Sequence, residues 1–229
     1  AAGHKVAICE QMEDPKQAKG IVKREVIKVV TPGTNINTLG LDETKNNYMM
    51  SIRSLGDNLG VSIADYSTGD FFVTELAGGS ELIDELNKFA PSEIITNEYF
   101  AMSGINLEAV NAKLGITMST LDNWYFNEET CRNRLLEHFH LEMLDGLGVK
   151  DYTVGIIAAG ALLTYLYETQ KSTMPHITTL MPYSSGKYML IDSSSRRNLE
   201  LVETLREKQK RGALLWVLDK TKTAMGART

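Results

Sequence analysis

Residues 154–167 most restrict what this chain can become. Val154, Ile157, Ala158, Ala161, Leu162, Tyr165 and Leu166 recur at helical spacing, yet they cover nearly every face of the helix they predict. A helix apolar all round belongs inside a domain, with other layers packed around it. Those layers are legible upstream. Three strand-like runs, 48–54, 59–66 and 70–76, follow in quick succession. Gly56-Asp57-Asn58 and Ser67-Thr68-Gly69 join them with residues that accept tight turns, so two hairpins and an antiparallel meander are predicted.

Helices and strands then alternate. Leu82, Ile83, Leu86 and Phe89 place a helix over 81–89, closed by Pro91, and 93–96 reads as a short buried strand. A helix over 107–114, a strand over 116–118 and a helix over 128–144, with a break near His140, complete the pattern. Three hairpin strands followed by this alternation predict an α/β domain with a mixed sheet, the element order of the ribonuclease-H-like architecture. Such a fold does not by itself license a function.

The flanks read differently. Residues 5–10 alternate as a half-buried strand does, which makes Cys9, between Val6 and Ile8, a small core residue. Asp14-Pro15 marks a turn or helix start, and 22–30 reads as a strand ended by Thr31-Pro32-Gly33-Thr34. Beyond Gln170, Met174-Pro175-His176 and Met181-Pro182-Tyr183 read as extended linker. A short strand over 188–191 precedes N-cap residues at 192–195, and Leu199, Val202 and Leu205 stripe the helix expected there. Another helix is expected over 213–218. The divisions are 1–34, 35–170 and 171–229: a partial α/β segment, the central domain and a partial helical segment. The chain opens on neither an initiator methionine nor a signal peptide and stops without capping logic, so both ends are expected to be internal cuts.

Charge divides the chain in the same places. Residues 1–34 carry six basic and four acidic groups (net +2), 35–170 seven and twenty (net −13), and 171–229 eleven and five (net +6). The middle is therefore a poor surface for nucleic acid, whose phosphates favour the ends. Arg196, Arg197, Lys208, Lys210 and Arg211 are the basic candidates for phosphate contact, although a solvated helix face has the same composition. No apolar run reaches the ~18 residues of a membrane span. Cys9 and Cys131 lie far apart, which favours reduced thiols and a cytoplasmic setting over a disulfide or metal framework.

Catalytic constellations are weak. Asp65, Asp70, Glu75 and Asp151 are the carboxylates that a two-metal nuclease would need to converge. Turn capping and a solvated face explain them better, so such a nuclease stands only as the alternative. No Gly-x-x-x-x-Gly-Lys-Ser/Thr loop and no strand-linked Gly-x-Gly-x-x-Gly is present, so no phosphate cradle is expected. His138 and His140 would point about 200° apart on a helix and share no metal there.

Three ordered blocks are more specific. Lys5-Val6-Ala7-Ile8-Cys9-Glu10-Gln11, Asp14-Pro15, Lys19-Gly20 and Lys23-Arg24-Glu25-Val26 through Val30-Thr31-Pro32-Gly33-Thr34 resemble the end of the mismatch-recognition domain of the MutS family. Arg196-Arg197-Asn198-Leu199-Glu200-Leu201 resembles the opening of that family's core domain. Leu214-Leu215-Trp216-Val217-Leu218-Asp219-Lys220-Thr221 with Thr223-Ala224-Met225-Gly226-Ala227-Arg228 resembles the core segment that follows. The stretch between is similar to the connector domain.

The resemblance implies a role in DNA mismatch repair: a connector that transmits state between mismatch reader and core and offers a docking surface to MutL. It places the mismatch-reading Phe-x-Glu wedge before Ala1 and the ATPase motor, with its ATP and Mg, beyond Thr229. No catalytic, metal or cofactor residue is therefore assigned within the chain, and no enzymatic activity is expected of it. Mismatched double-stranded DNA and a homodimeric assembly are expected of the full-length protein. Asn133 and Arg134, on the helix after Trp124-Tyr125-Phe126, are the candidates for contacting MutL.

Overall fold

The computed structural model describes residues 4–13, 21–35, 45–184, 191 and 193–228. The turn expected at Asp14-Pro15 and most of the strand expected over 188–191 lie outside the described residues.

β1 (Val6–Gln11) and β2 (Arg24–Val30) form a two-stranded antiparallel ribbon with a bulge between Ile8 and Cys9. Cys9 is exposed, which corrects its reading as a core residue. Alternation marks only a face that wants cover. A two-stranded ribbon cannot bury its own faces, and Val6 and Val26 stay 56% and 43% exposed.

β3 (Tyr48–Leu55), β4 (Asn58–Asp65) and β5 (Asp70–Leu76) form the expected meander, with Leu55 opposite Asn58 and Asp65 opposite Asp70. α1 (Gly79–Phe89) leads to β6 (Glu93–Thr96), which pairs parallel to β3. α2 (Glu98–Met102) and α3 (Glu108–Leu114) then lead to β7 (Thr117–Thr120), parallel to β6. α4 (Glu128–Phe139) ends where His140 turns left-handed at φ 53°, at the expected break. The helix predicted to reach 144 therefore stops short, and Leu144–Leu147 forms a separate 3-10 turn.

α5 (Val154–Gln170) is the buried helix, about 25 Å long at 1.5 Å per residue. It lies between the sheet and α4. One sheet face packs Met49, Ala64, Phe71, Val73 and Ile95 against Leu162, Leu163 and Leu166. The other packs Ile52, Val61 and Ile63 against Leu82 and Leu86 of α1 and Ile116. Two glycines set how closely α5 fits. A Cβ on Gly60 would lie 2.1 Å from the Val154 carbonyl oxygen, and one on Gly160 would lie 2.4 Å from Cys131 Cβ. α5 is therefore clamped between strand and helix backbones at distances that admit no side chain.

The stretch read as extended linker instead turns at Met174, which stands at φ +48°, and is sewn down. Met174, Ile177 and Leu180 are buried, and β8 (Met181–Pro182) pairs parallel to β5. The sheet order is β7-β6-β3-β4-β5-β8, a mixed sheet as predicted. Downstream, α6 (Ser193–Asn198), α7 (Leu214–Leu218) and α8 (Ala224–Arg228) are short. The helix expected to carry Leu199, Val202 and Leu205 ends at Asn198, and Glu200 stands at φ +47°. Those three side chains remain 60%, 44% and 46% exposed, so no packing sustains the predicted stripe.

Candidate functional site

The polar chemistry of this chain concentrates where the N-terminal ribbon meets the sheet. Glu93 opens β6 and is fully buried, although charged residues are almost never so placed unless paired. Its Oε2 accepts the Gly33 N–H at 3.2 Å, and its Oε1 accepts the Tyr165 hydroxyl at 2.8 Å. Ser119 Oγ of β7 donates at 3.3 Å, and Lys5 Nζ of the ribbon approaches Oε1 to 3.6 Å. One carboxylate thus holds the ribbon, the Pro32–Thr34 turn, β6, β7 and α5. Burial first, then the Glu93 charge and hydrogen bond, push the Tyr165 hydroxyl well above its ordinary range, which keeps it a donor.

Asn47, just before β3, fastens the same seam. Its Nδ2 donates to the carbonyls of Pro32 (2.9 Å) and Asn35 (3.0 Å), and its backbone N–H donates to Asp65 at 3.0 Å. Ser92 Oγ donates to its side-chain oxygen. At the end of α5, Gln170 Nε2 reaches the Val29 carbonyl at 3.2 Å. Lys5 lies over the Tyr165 ring (5.0 Å to the centroid) and Lys28 over Tyr66 (5.5 Å). Moving the ribbon against the sheet would break the contacts of Lys5 with Glu93 and Tyr165 and leave the buried carboxylate with one partner fewer.

A second junction lies where the chain leaves the sheet. The Tyr183 hydroxyl donates to buried Glu85 of α1 at 2.7 Å, and Lys88 Nζ pairs with the same carboxylate at 3.3 Å. The Tyr183 ring meets Phe72 and Phe89 edge-on or tilted. Burial and then Glu85 raise the Tyr183 hydroxyl above its usual range.

The four carboxylates weighed as metal ligands are not brought together. Asp65 accepts the Asn47 and Ser67 N–H groups and the Ser67 hydroxyl, while Asp70 accepts from Thr68 and Asn46. Glu75 lies at the opposite end of β5, about 17 Å along the strand. There its Oε1 accepts the N–H groups of Thr153 and Gly155, both at 2.7 Å, and so caps α5 from another element. Asp151 is exposed in the turn before that helix. Among the described residues, no group of three His, Cys, Asp or Glu is placed to hold a metal ion. At the carboxyl ends of the parallel strands β3 and β6, where α/β folds hold ligands, stand Arg53 and Asn97.

The other predicted residues lie on α6, in the turn before α7 and on α4. Arg196 turns toward α1, reaching the Asn87 carbonyl at 3.5 Å, and Arg197 is exposed on the same short helix. Lys208, Lys210 and Arg211 are exposed in the turn before α7; Asp219 at the end of α7 is held below the usual carboxylate range first by its hydrogen bonds from Thr221 and then by Lys210 and Lys220. Asn133 is exposed on α4. Arg134 lies over the Tyr167 ring (5.0 Å) and pairs with Glu137 at 3.0 Å, so it faces the protein more than its position on the helix suggested.

Sequence reasoning missed Glu93, Asn47, Gln170, Glu85 and Tyr183. One signal was available: Glu93 and Gln170 are polar residues at the limits of otherwise apolar elements, where isolation predicts a specific partner.

Comparison with known proteins gives three adjacent matches. The family model for MutS domain II matches residues 47–178, that for MutS domain I residues 1–38 and that for MutS domain III residues 194–229. The chain is 58% identical over 226 residues to the DNA mismatch repair protein MutS of Lachnoclostridium phytofermentans, covering 99% of the chain and 24% of that protein. It is 46% identical to MutS of Ruminiclostridium cellulolyticum (99% and 26%) and 40% identical to MutS of Protochlamydia amoebophila (100% and 27%). The chain spans about a quarter of the length of these relatives.

Proposed function

The chain belongs to the MutS family, and from that premise we propose that it is the connector of a cytoplasmic DNA mismatch-repair ATPase, carrying state between the mismatch reader and the core. The observation that carries the reading is the buried Glu93 seam. It gives the reader-side ribbon and the central sheet one shared set of bonds, so that a shift in one is felt by the other. The Tyr183–Glu85 junction does the same on the side of the core.

On this reading the central domain is a ribonuclease-H-like connector, covering 35–170 with the strap through Tyr183 packed onto it. It serves mechanics rather than hydrolysis: ATP and Mg belong to a motor that these residues do not form. The nuclease alternative would need convergent carboxylates. Asp65 and Glu75 are instead occupied by backbone N–H groups at opposite ends of the sheet, and Arg53 beside the parallel strand ends would repel cations. The exposed apolar residues of β1, β2 and α7 are surfaces that further parts of the full-length protein would cover. Mismatch-specific binding of duplex DNA requires the assembled homodimer, in which Arg196, Arg197, Lys208, Lys210 and Arg211 of this segment serve as phosphate contacts. MutL docks on α4 at Asn133 and the edge of Arg134.

The test uses a full-length MutS protein carrying this segment. Glu93→Ala is expected to leave mismatch affinity and basal ATP turnover near wild type, while mismatch stimulation of turnover falls by about 2- to 30-fold, the range of a coupling worth 0.5–2 kcal/mol. Stimulation unchanged in a folded Glu93→Ala protein refutes the relay. In the same protein, Asn133→Asp with Arg134→Glu is expected to abolish crosslinking to MutL; undiminished crosslinking removes α4 as the dock.

A further inference from the structure

The two edges of the six-stranded sheet are finished differently. β8 is two residues long and one of them is Pro182, which has no N–H to offer a further strand. β7 contains neither proline nor a charged residue. The N–H groups of Thr117 and Leu121 donate across to the carbonyls of Ser92 and Thr96. Strand alternation therefore turns the N–H groups of Met118 and Thr120 away from β6, and among the described residues neither has an acceptor. Both residues are exposed, Met118 by 40%. Natural sheets blunt a free edge with charge, proline or a bulge, because unpaired N–H and C=O groups template another strand. β7 has none of these devices.

Its surroundings select what would pair there. Residues 90–130 contain six acidic groups and one basic group, and every one of the acidic groups except the buried Glu93 is exposed. Glu98, Asp122, Glu128 and Glu129, all exposed, follow the carboxyl ends of β6 and β7. A second copy of this chain would set acid against acid, and a nucleic acid backbone would be repelled. We propose that β7 is a docking edge for an extended, lysine- or arginine-rich strand of a partner protein, held by main-chain hydrogen bonds at Met118 and Thr120 and oriented by this acidic rim. Only the first turn of α4 contributes to this rim, and neither Asn133 nor Arg134 is used, so the proposal stands or falls independently of the MutL assignment.

The test titrates a rhodamine-labelled peptide, Lys-Val-Lys-Val-Lys-Val, into the 229-residue chain, read by anisotropy and by amide hydrogen exchange. Binding of this peptide, slowed exchange at the Met118 and Thr120 amides, and failure of Glu-Val-Glu-Val-Glu-Val to bind are expected. Met118→Pro and Thr120→Pro remove only outward N–H groups, which edge strands tolerate, and each is expected to lose binding while keeping the wild-type circular dichroism and melting temperature. Equal binding of the acidic peptide, unchanged exchange at these two amides, or full binding by a folded proline variant overturns the proposal. Should both variants misfold, exchange in the unaltered protein decides alone.

Discussion

Gly160 shows how much a single residue can constrain this molecule. It sits mid-helix, where glycine costs stability relative to alanine, and the reason is distance. Cys131 of α4 lies where a Cβ would be, with its backbone oxygen 2.6 Å from that point. The same contact buries the Cys131 thiol and pushes its pKa up to about 12, so this cysteine acts as packing and not as a nucleophile. Gly160→Ala is expected to destabilise the chain by roughly 1–3 kcal/mol through overpacking. Gly146→Ala, with nothing within 4 Å of its added carbon, is the matched control and is expected to be near neutral. Urea unfolding of the two variants checks this, and equal midpoints would show that α4 can move away from α5 at little cost.

At the scale of elements, side-chain relays tie helices to the strap that follows them. His138 of α4 has Nδ1 2.8 Å from the Tyr167 hydroxyl of α5 and Nε2 2.8 Å from the Ile177 carbonyl of the strap. A carbonyl can only accept, so Nε2 carries the proton; in the neutral ring Nδ1 accepts the Tyr167 hydroxyl, whose other acceptor is the Thr173 carbonyl at 3.3 Å. Burial lowers the His138 pKa, opposed by the Ile177 bond and reinforced by positive charge on His140, His176 and Arg134. With its folded value below the usual 6.5, the unfolded chain takes up this proton more readily. The contribution is therefore intact above about pH 6.5 and is lost as pH falls through that value and below it. Between about pH 7.5 and about pH 5.5 the urea midpoint of the wild type is expected to fall further than that of His138→Gln. Parallel curves would mean that the relay does not titrate with folding.

For the whole molecule, charge and coverage decide behaviour. A −13 middle between +2 and +6 ends predicts weak DNA binding that falls steeply with salt and does not distinguish a mismatched from a matched duplex. Reversing Arg196, Arg197, Lys208, Lys210 and Arg211 together should flatten the salt dependence, as gel shifts across an ionic-strength series would register. A mismatch preference by this chain alone would contradict the division of labour proposed for it. The apolar helix 154–167, the three hairpin strands with their turns and the alternation after them were readable from residue order, because periodicity and turn chemistry are local properties. The meander, the buried helix, the mixed sheet and the charge partition were therefore determined by the sequence alone, whereas α2 and β8 were not read from it. The exposure of Cys9, the early end of the helix before Leu199, the capping of α5 by Glu75 from 78 residues away and the gathering of Lys5, Gly33, Ser119 and Tyr165 around Glu93 were decided only by tertiary structure. The physical reason is that burial and pairing depend on which distant backbone arrives at a side chain, and no local pattern carries that information.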